Sequence, residues 1–181
     1  MPFAGSGGQR GRRYEPPPPV DPEDRDAAAA MAERLLAVTD RSRVELQRRL
    51  ERRGYAPETA AEAVGRLQAR GWVDDNRLAD DLARRRLSHG YGRRRVVADL
   101  VSRGVDAETV SRTAAALGEG QADAVRIAAD RLRRSHPGPL TDPEMRRLAA
   151  ALQRRGFDMG YIRSALRQMA TESMAMPKDE G

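Results

Sequence analysis

Two pairs of adjacent carboxylates, Asp74-Asp75 and Asp80-Asp81, are the first residues in this chain that could do chemistry. Such carboxylates can hold a divalent cation, and a bound cation can activate water for hydrolysis of a phosphodiester. Nothing else completes a site of that kind. His89 and His136 are the only imidazoles and cysteine is absent. Thiolate and multi-histidine metal sites, disulfides and a cysteine nucleophile are therefore excluded. Helix N-capping and pairing with arginine explain the four aspartates better, because a carboxylate at a helix start accepts from otherwise orphaned amides. His89 stands before Gly90 at an expected helix end, where a cation suits the dipole. With no nucleophile–base pair and no phosphate-binding glycine loop, the expectation is a protein without catalytic residues, metal or cofactor.

The chemistry that remains is that of arginine. Of 33 cations, 32 are arginine and one is Lys178, against 27 acids, for a net charge of +6 and an isoelectric point near 10.6. The planar guanidinium pairs bidentately with carboxylates and phosphates, so an anionic partner is expected, either nucleic acid or an acidic protein surface. The densest stretch runs from 84 to 95 and holds Arg84, Arg85, Arg86, Arg93, Arg94 and Arg95 with no acid among them. Asp80–Arg84 and Asp81–Arg85 have the spacing of intrahelical pairs. Arg86, Arg93, Arg94 and Arg95 have no acid four residues earlier, which makes them the preferred contacts. The same test selects Arg154 and Arg155, whereas Asp99 and Glu108 match Arg103 and Arg112. Arg126, Arg131, Arg133 and Arg134 form a further cluster. Arg10, Arg12 and Arg13 could form a basic arm.

The elements that must position these arginines are helices. Ala, Leu, Arg and Glu dominate, while Phe, Tyr and Trp number 2, 4 and 1, which favours an all-α protein over a sheet. Residues 1–25, rich in glycine and carrying four prolines at 16–19, are expected to be a disordered tail, as are residues 172–181. No run of about 18 apolar residues exists, and the start lacks the apolar region of a secretory signal. A soluble, cytoplasmic monomer without membrane contact is expected.

Between the tails lies an internal repeat. Leu50-Glu51-Arg52-Arg53-Gly54 recurs as Leu100 to Gly104 and as Leu152 to Gly156, each glycine followed by an apolar residue: Tyr55, Val105, Phe157. Aligned on these glycines, Leu46, Val96 and Leu148 coincide upstream, and Ala60, Val110 and Ile162 downstream. The pattern predicts three tandem three-helix repeats, over 26–73, 74–118 and 119–171, stacked in an elongated, curved array. Their net charges are +2, +2 and +4. Ser42 with Glu45 reads as a capping box, as does Thr141 with Glu144. Gly54 reads as a helix stop and Pro57 as the first residue of the next helix. Asp74 or Asp75, Asp106 and Asp158 read as further N-caps. Tyr55 and Trp72 read as packing residues between helices.

The ordered blocks resemble the RecX family of recombination regulators. They are Arg41-Ser42-Arg43-Val44-Glu45-Leu46 through Arg53-Gly54-Tyr55, then Arg70-Gly71-Trp72-Val73-Asp74-Asp75 to Ala79. Gly90-Tyr91-Gly92-Arg93-Arg94-Arg95-Val96, Leu100 to Asp106 and Leu152 to Phe157 complete the set, and the resemblance spans about residues 28–170. The chain departs from the family pattern at Leu78, where an aromatic residue is common, and in using arginine for lysine. The resemblance implies a non-enzymatic partner of the RecA recombinase that binds its filament on single-stranded DNA, in the groove or at the end. There it would suppress ATP hydrolysis, strand exchange and the co-protease activity behind the SOS response. Non-specific contact with single- or double-stranded DNA is compatible with the charge.

The competing reading is a helix-turn-helix-like DNA-binding regulator. It requires base-reading side chains on an exposed recognition helix. The third helix of the first repeat offers Glu58, Thr59, Glu62 and Arg66 for exposure, which argues against it.

Overall fold

In a computed structural model, residues 20–118, 120–135 and 140–175 are described, with side chains to residue 172. These residues form nine α-helices and no strand. They are α1 (Arg25–Val38), α2 (Arg43–Glu51), α3 (Pro57–Ala69), α4 (Asp75–Ser88), α5 (Arg93–Ser102), α6 (Ala107–Ala116), α7 (Gln121–Ser135), α8 (Asp142–Arg154) and α9 (Met159–Ala175). Three helices make each repeat, as the sequence predicts. The third repeat's last helix continues to Ala175, past the expected start of the tail at 172. Val20 to Asp24 are also placed, and Pro22 O accepts from Ala56 N at 2.9 Å. Arg10, Arg12, Arg13, His136 and Lys178 lie outside the described residues.

Local chemistry sets the helix ends. Asp24, Asp74 and Asp106 cap α1, α4 and α6 through their carboxylates. Ser42 and Glu45 complete the reciprocal capping box of α2. Pro57 opens α3, where its missing amide is not needed. Thr141 differs from expectation: it stands before α8 without a side-chain capping bond. Gly54, Gly104 and Gly156 all have positive φ. At each, the next residue's amide bonds back to the signature leucine: Tyr55 to Leu50, Val105 to Leu100 and Phe157 to Leu152. The repeated Leu-x-x-x-Gly-apolar string is thus one C-terminal cap used three times.

Each repeat buries its own core. Leu46, Leu50, Tyr55, Ala60, Val64 and Leu67 pack in the first, and Leu78, Leu82, Val96, Leu100 and Val110 in the second. Leu148, Leu152, Phe157, Ile162 and Leu166 pack in the third. Leu87 touches the second and third cores and so bridges them. Thr59, expected on the surface, is buried, while Trp72, expected to pack, is 51% exposed. The stripe of α3 explains the first. Thr59 precedes Ala60 and Ala63 on the core side. Trp72 follows the Gly71 turn and lies outside it.

The repeats join in the same way twice. At the first junction, Ser42 Oγ donates to Arg103 O, and Arg43 N donates to Asp75 Oδ1 at 2.9 Å. At the second, Gly92 N and Arg94 N donate to Arg155 O and Gly156 O at 2.8 and 3.0 Å, and Arg93 N donates to Gln121 Oε1 at 3.0 Å. In both, the start of one second helix meets the end of the next repeat's second helix. α8, α5 and α2 therefore form an end-to-end spine.

Close approach at these joints demands glycine. A Cβ on Gly92 would strike the carbonyl of Gly156, and one on Gly104 would come within 2.7 Å of Val44 Cγ1. Gly71 has a similar φ of +73° but open space around it. Gly71→Ala is therefore expected to cost about 1–2 kcal/mol through backbone conformation alone. Gly104→Ala should add about 1–3 kcal/mol of overpacking across the joint. Urea denaturation of the two variants checks this, and equal losses would show that Val44 yields freely.

Candidate functional site

Arginines concentrate along the spine. Counting back thirteen, nine, five and one residues from the signature glycines gives equivalent positions on each second helix and the turns that flank it, positions four apart lying on one side where the backbone is helical. They read Arg41, Glu45, Arg49, Arg53 in the first repeat and Tyr91, Arg95, Asp99, Arg103 in the second. In the third they read Pro143, Arg147, Ala151, Arg155. α2, α5 and α8 have 9, 10 and 13 residues, so about 50 Å of helix carries this stripe.

The second junction gathers six of the twelve arginines singled out in the sequence, five of them around Asp99, Asp158 and Tyr91. Arg93 and Arg94 both grip Asp158, at 3.2 and 2.8 Å. Asp99 takes Arg95 at 3.2 Å, and its other oxygen lies 2.6 Å from Arg86 Nε, close enough for an ion pair though not aligned as a hydrogen bond. Arg86, Arg95 and Arg155 surround the ring of Tyr91 at 5.4–5.9 Å from its centroid, an arrangement favoured by the ring quadrupole. The premise that Arg86, Arg93, Arg94 and Arg95 lack acid partners is therefore overturned. Their partners come from the following turn, the neighbouring helix and the next repeat.

The other arginines are spread out. Arg84 pairs with Asp81, leaving Arg85 exposed without the expected partner among the described residues. Arg131 Nη1 donates to Ser88 O at 3.2 Å across the same junction. Arg126 and Arg134 are exposed on α7, and Arg133 is half-buried with one shielded nitrogen unpaired. Arg154 is exposed and borders an apolar groove with Leu132 and Leu148. Asp99, expected to match Arg103, is occupied elsewhere; Arg103 instead reaches Glu45 of the first repeat at 3.6 Å.

The first junction holds a cluster that pairwise spacing missed. Burial lowers the Arg41 pKa, and the cations of Arg49, Arg103 and Arg53 lower it further, against Glu45 alone. Arg41 Nε is shielded and has no acceptor. Among the described residues, only Arg103 of these four guanidiniums has an ion pair, with Glu45. Beside them an open cleft of about 390 Å³ is lined by Glu45, Arg48, Arg49, Glu51, Arg52 and Ser102. The signal was available in the repeat register, which places Arg41, Arg49 and Arg53 with Arg95, Arg103 and Arg155.

The four aspartates that opened the analysis have structural roles where contacts are seen. Asp74 caps α4, Asp75 accepts from Arg43 N and Asp81 pairs with Arg84. Burial raises the Asp75 pKa, opposed by the Arg43 amide and charge, and Asp106 and Asp74 push it up further.

Serial three-helix repeats joined end to end through an arginine-rich spine define a helical-repeat protein. The model described as "RecX, first three-helix domain" matches residues 28–67, and "RecX, second three-helix domain" matches residues 74–113. The Regulatory protein RecX of Xanthomonas oryzae pv. oryzae (strain MAFF 311018) is 38% identical over 161 residues, covering 88% of this chain and 93% of the relative. That of Stenotrophomonas maltophilia (strain R551-3) is 41% identical over 135 residues, covering 74% and 81%. The crystal structure of RecX from Lactobacillus salivarius superposes with a TM-score of 0.72 at 16% identity, over 82% of this chain and 97% of that one. The chain belongs to the RecX family of regulatory proteins.

Two substitutions test the joints. Asp158→Asn leaves Arg93 and Arg94 unpaired; their exposure limits the expected loss to about 1 kcal/mol, shrinking as salt screens the pairs. Chemical denaturation at low and high salt reads both. Asp75 has its pKa raised above 3.8 by folding, so the folded state binds that proton more tightly. Its contribution falls as pH rises from the unfolded value through the raised one. Asp75→Asn keeps an acceptor for Arg43 N and removes the buried charge. It should flatten that slope and leave stability at neutral pH equal or higher, as thermal melts between pH 4 and 7 would show.

Proposed function

We propose that this protein binds the RecA recombinase filament on single-stranded DNA and restrains it, lowering ATP hydrolysis, strand exchange and co-protease activity. The observation that carries this reading is the recurrence of arginine on one side of three successive second helices of a RecX-family chain, where Glu45 and Asp99 are the only acids in the register. A filament presents its subunits periodically, and a serial array can address several of them at once. The spine arginines supply guanidiniums for acidic side chains or phosphates along that path. Arg86, Arg93, Arg94 and Arg95 stay candidates that would have to exchange Asp99 and Asp158 for the partner's anions, with Arg84, Arg85, Arg126, Arg131, Arg133, Arg134, Arg154 and Arg155 as further candidates. Acting on a filament from the cytoplasm calls for no membrane segment, and no described helix is long and apolar enough to cross one.

Sequence-specific reading of DNA is less well supported. On the third helices, Thr59 and Thr109 are buried, and Arg66 is committed to Glu62 and Asp26. These commitments leave little for base edges.

The test is a titration of the protein into recombinase filaments on single-stranded DNA, reading DNA-dependent ATP hydrolysis. Depression at protein amounts well below one per recombinase subunit is expected. Unaltered hydrolysis across the titration refutes the proposal. Inhibition that merely tracks free DNA sites would place the effect on DNA coating.

A further inference from the structure

We infer that the cleft where α2 meets the end of α5 binds the phosphodiester backbone of a nucleic-acid strand, with Arg48 and Arg49 as its principal contacts and Arg41, Arg53 and Arg103 supplying the field. The inference deepens the filament reading and rests on it only for the presence of nucleic acid in the assembly.

The argument begins with unequal compensation at two equivalent joints. At the second junction, Asp99 and Asp158 hold Arg86, Arg93, Arg94 and Arg95 in four ion pairs. At the first, Arg103 reaches Glu45 at 3.6 Å, and Arg41, Arg49 and Arg53 have no ion pair among the described residues. Glu45 also serves the capping box through Ser42 N. The other acid of the cleft, Glu51, accepts from Gln47 at 3.0 Å. Among the described residues, Arg48 and Arg49 have no ion-pair partner, and both line the cleft. Like charges held together without counter-charge destabilise the free protein, and an arriving anion relieves that repulsion.

The form of the site favours phosphates over isolated carboxylates. The cations are spaced along a helix and continue past the joint, so an extended polyanion meets several at once. Arg52 and Arg53 turn back onto the carbonyls of Arg48 and Arg49, each at 3.2 Å, which fixes the end of α2 and leaves Arg48 and Arg49 facing the cleft. Ser102, from α5, lines the cleft too and offers a hydroxyl of the kind that contacts backbone phosphates. The cleft has no exposed aromatic residue among its lining side chains, so bases would not be stacked and the binding would be indifferent to sequence.

The experiment uses the full chain without recombinase and a fluorescein-labelled thirty-nucleotide oligo-dT, read by anisotropy at 50 and 200 mM salt. The wild type should bind and weaken steeply with salt. Arg48→Gln with Arg49→Gln should lower affinity about tenfold and reduce the salt slope by about 0.7 for each lost phosphate contact. Arg163→Gln with Arg167→Gln, an equal change of charge on exposed positions of α9, should stay within about twofold of wild type. Circular dichroism melts confirm that both variants fold. Equal losses in the two variants would reduce the effect to net charge and overturn the site. Absent oligo-dT binding at 50 mM salt also overturns it. If the cleft variant then lost filament inhibition that the wild type retained, the surface would be one for an acidic protein face, and the filament reading would stand.

Discussion

A helix that ends inside a protein leaves amides at its start and carbonyls at its finish without partners, and this fold depends on how it satisfies them. The start of α2 is served by the end of α5 and the first residue of α4, through Ser42 with Arg103 O and Arg43 N with Asp75. The start of α5 is served by the end of α8 and the first residue of α7, through Gly92 and Arg94 with Arg155 O and Gly156 O and through Arg93 N with Gln121. Each repeat is too small to bury a large core. Fixing its neighbour through backbone groups gives directional, geometrically strict joints that apolar contact alone would not provide. The glycine requirements at 92 and 104 are the steric counterpart of that strictness.

The same joints organise the charge. The positive end of one second helix faces the negative end of the next, so the macrodipoles run head to tail and offset each other within the spine. Arginines that follow the helix register are thereby brought into line from one repeat to the next, although 50 or 52 residues separate them in sequence. Carboxylates are fewer than guanidiniums at both joints. The second joint is drawn tight by Asp99 and Asp158, whereas the first keeps an excess of cation.

Much of the fold was legible in the sequence because its determinants are local. The Leu-x-x-x-Gly-apolar string contains both the carbonyl and the amide of its own cap, and the leucine and the apolar residue are both buried. The capping box of Ser42 and Glu45 spans a single turn. Side-chain partners were another matter. Searching four residues upstream for an acid misses Asp99 one turn downstream of Arg95 and cannot see Asp158, 64 and 65 residues from Arg94 and Arg93. For the same reason Arg103 was assigned to Asp99 when Glu45 of the preceding repeat stands closer to its charge. Trp72 follows a glycine turn, where helical periodicity no longer dictates which way a side chain faces.

The two outer ends of the described spine are built differently. α8 begins with Pro143 in its first turn, in the register of Arg41 and Tyr91, where an amide is not needed by the helix. The helix is also longer than α2 or α5, so its start is carried past the register of the other joints. At the opposite end, the finish of α2 meets no other second helix among the described residues. Val20 lies over Gly54, Pro22 O takes the amide of Ala56, and the guanidiniums of Arg52 and Arg53 donate to carbonyls of the last turn. Terminal repeats of helical arrays require such caps to present a polar face. Here the caps are themselves cationic, so arginine continues along the spine to the turn that closes α2.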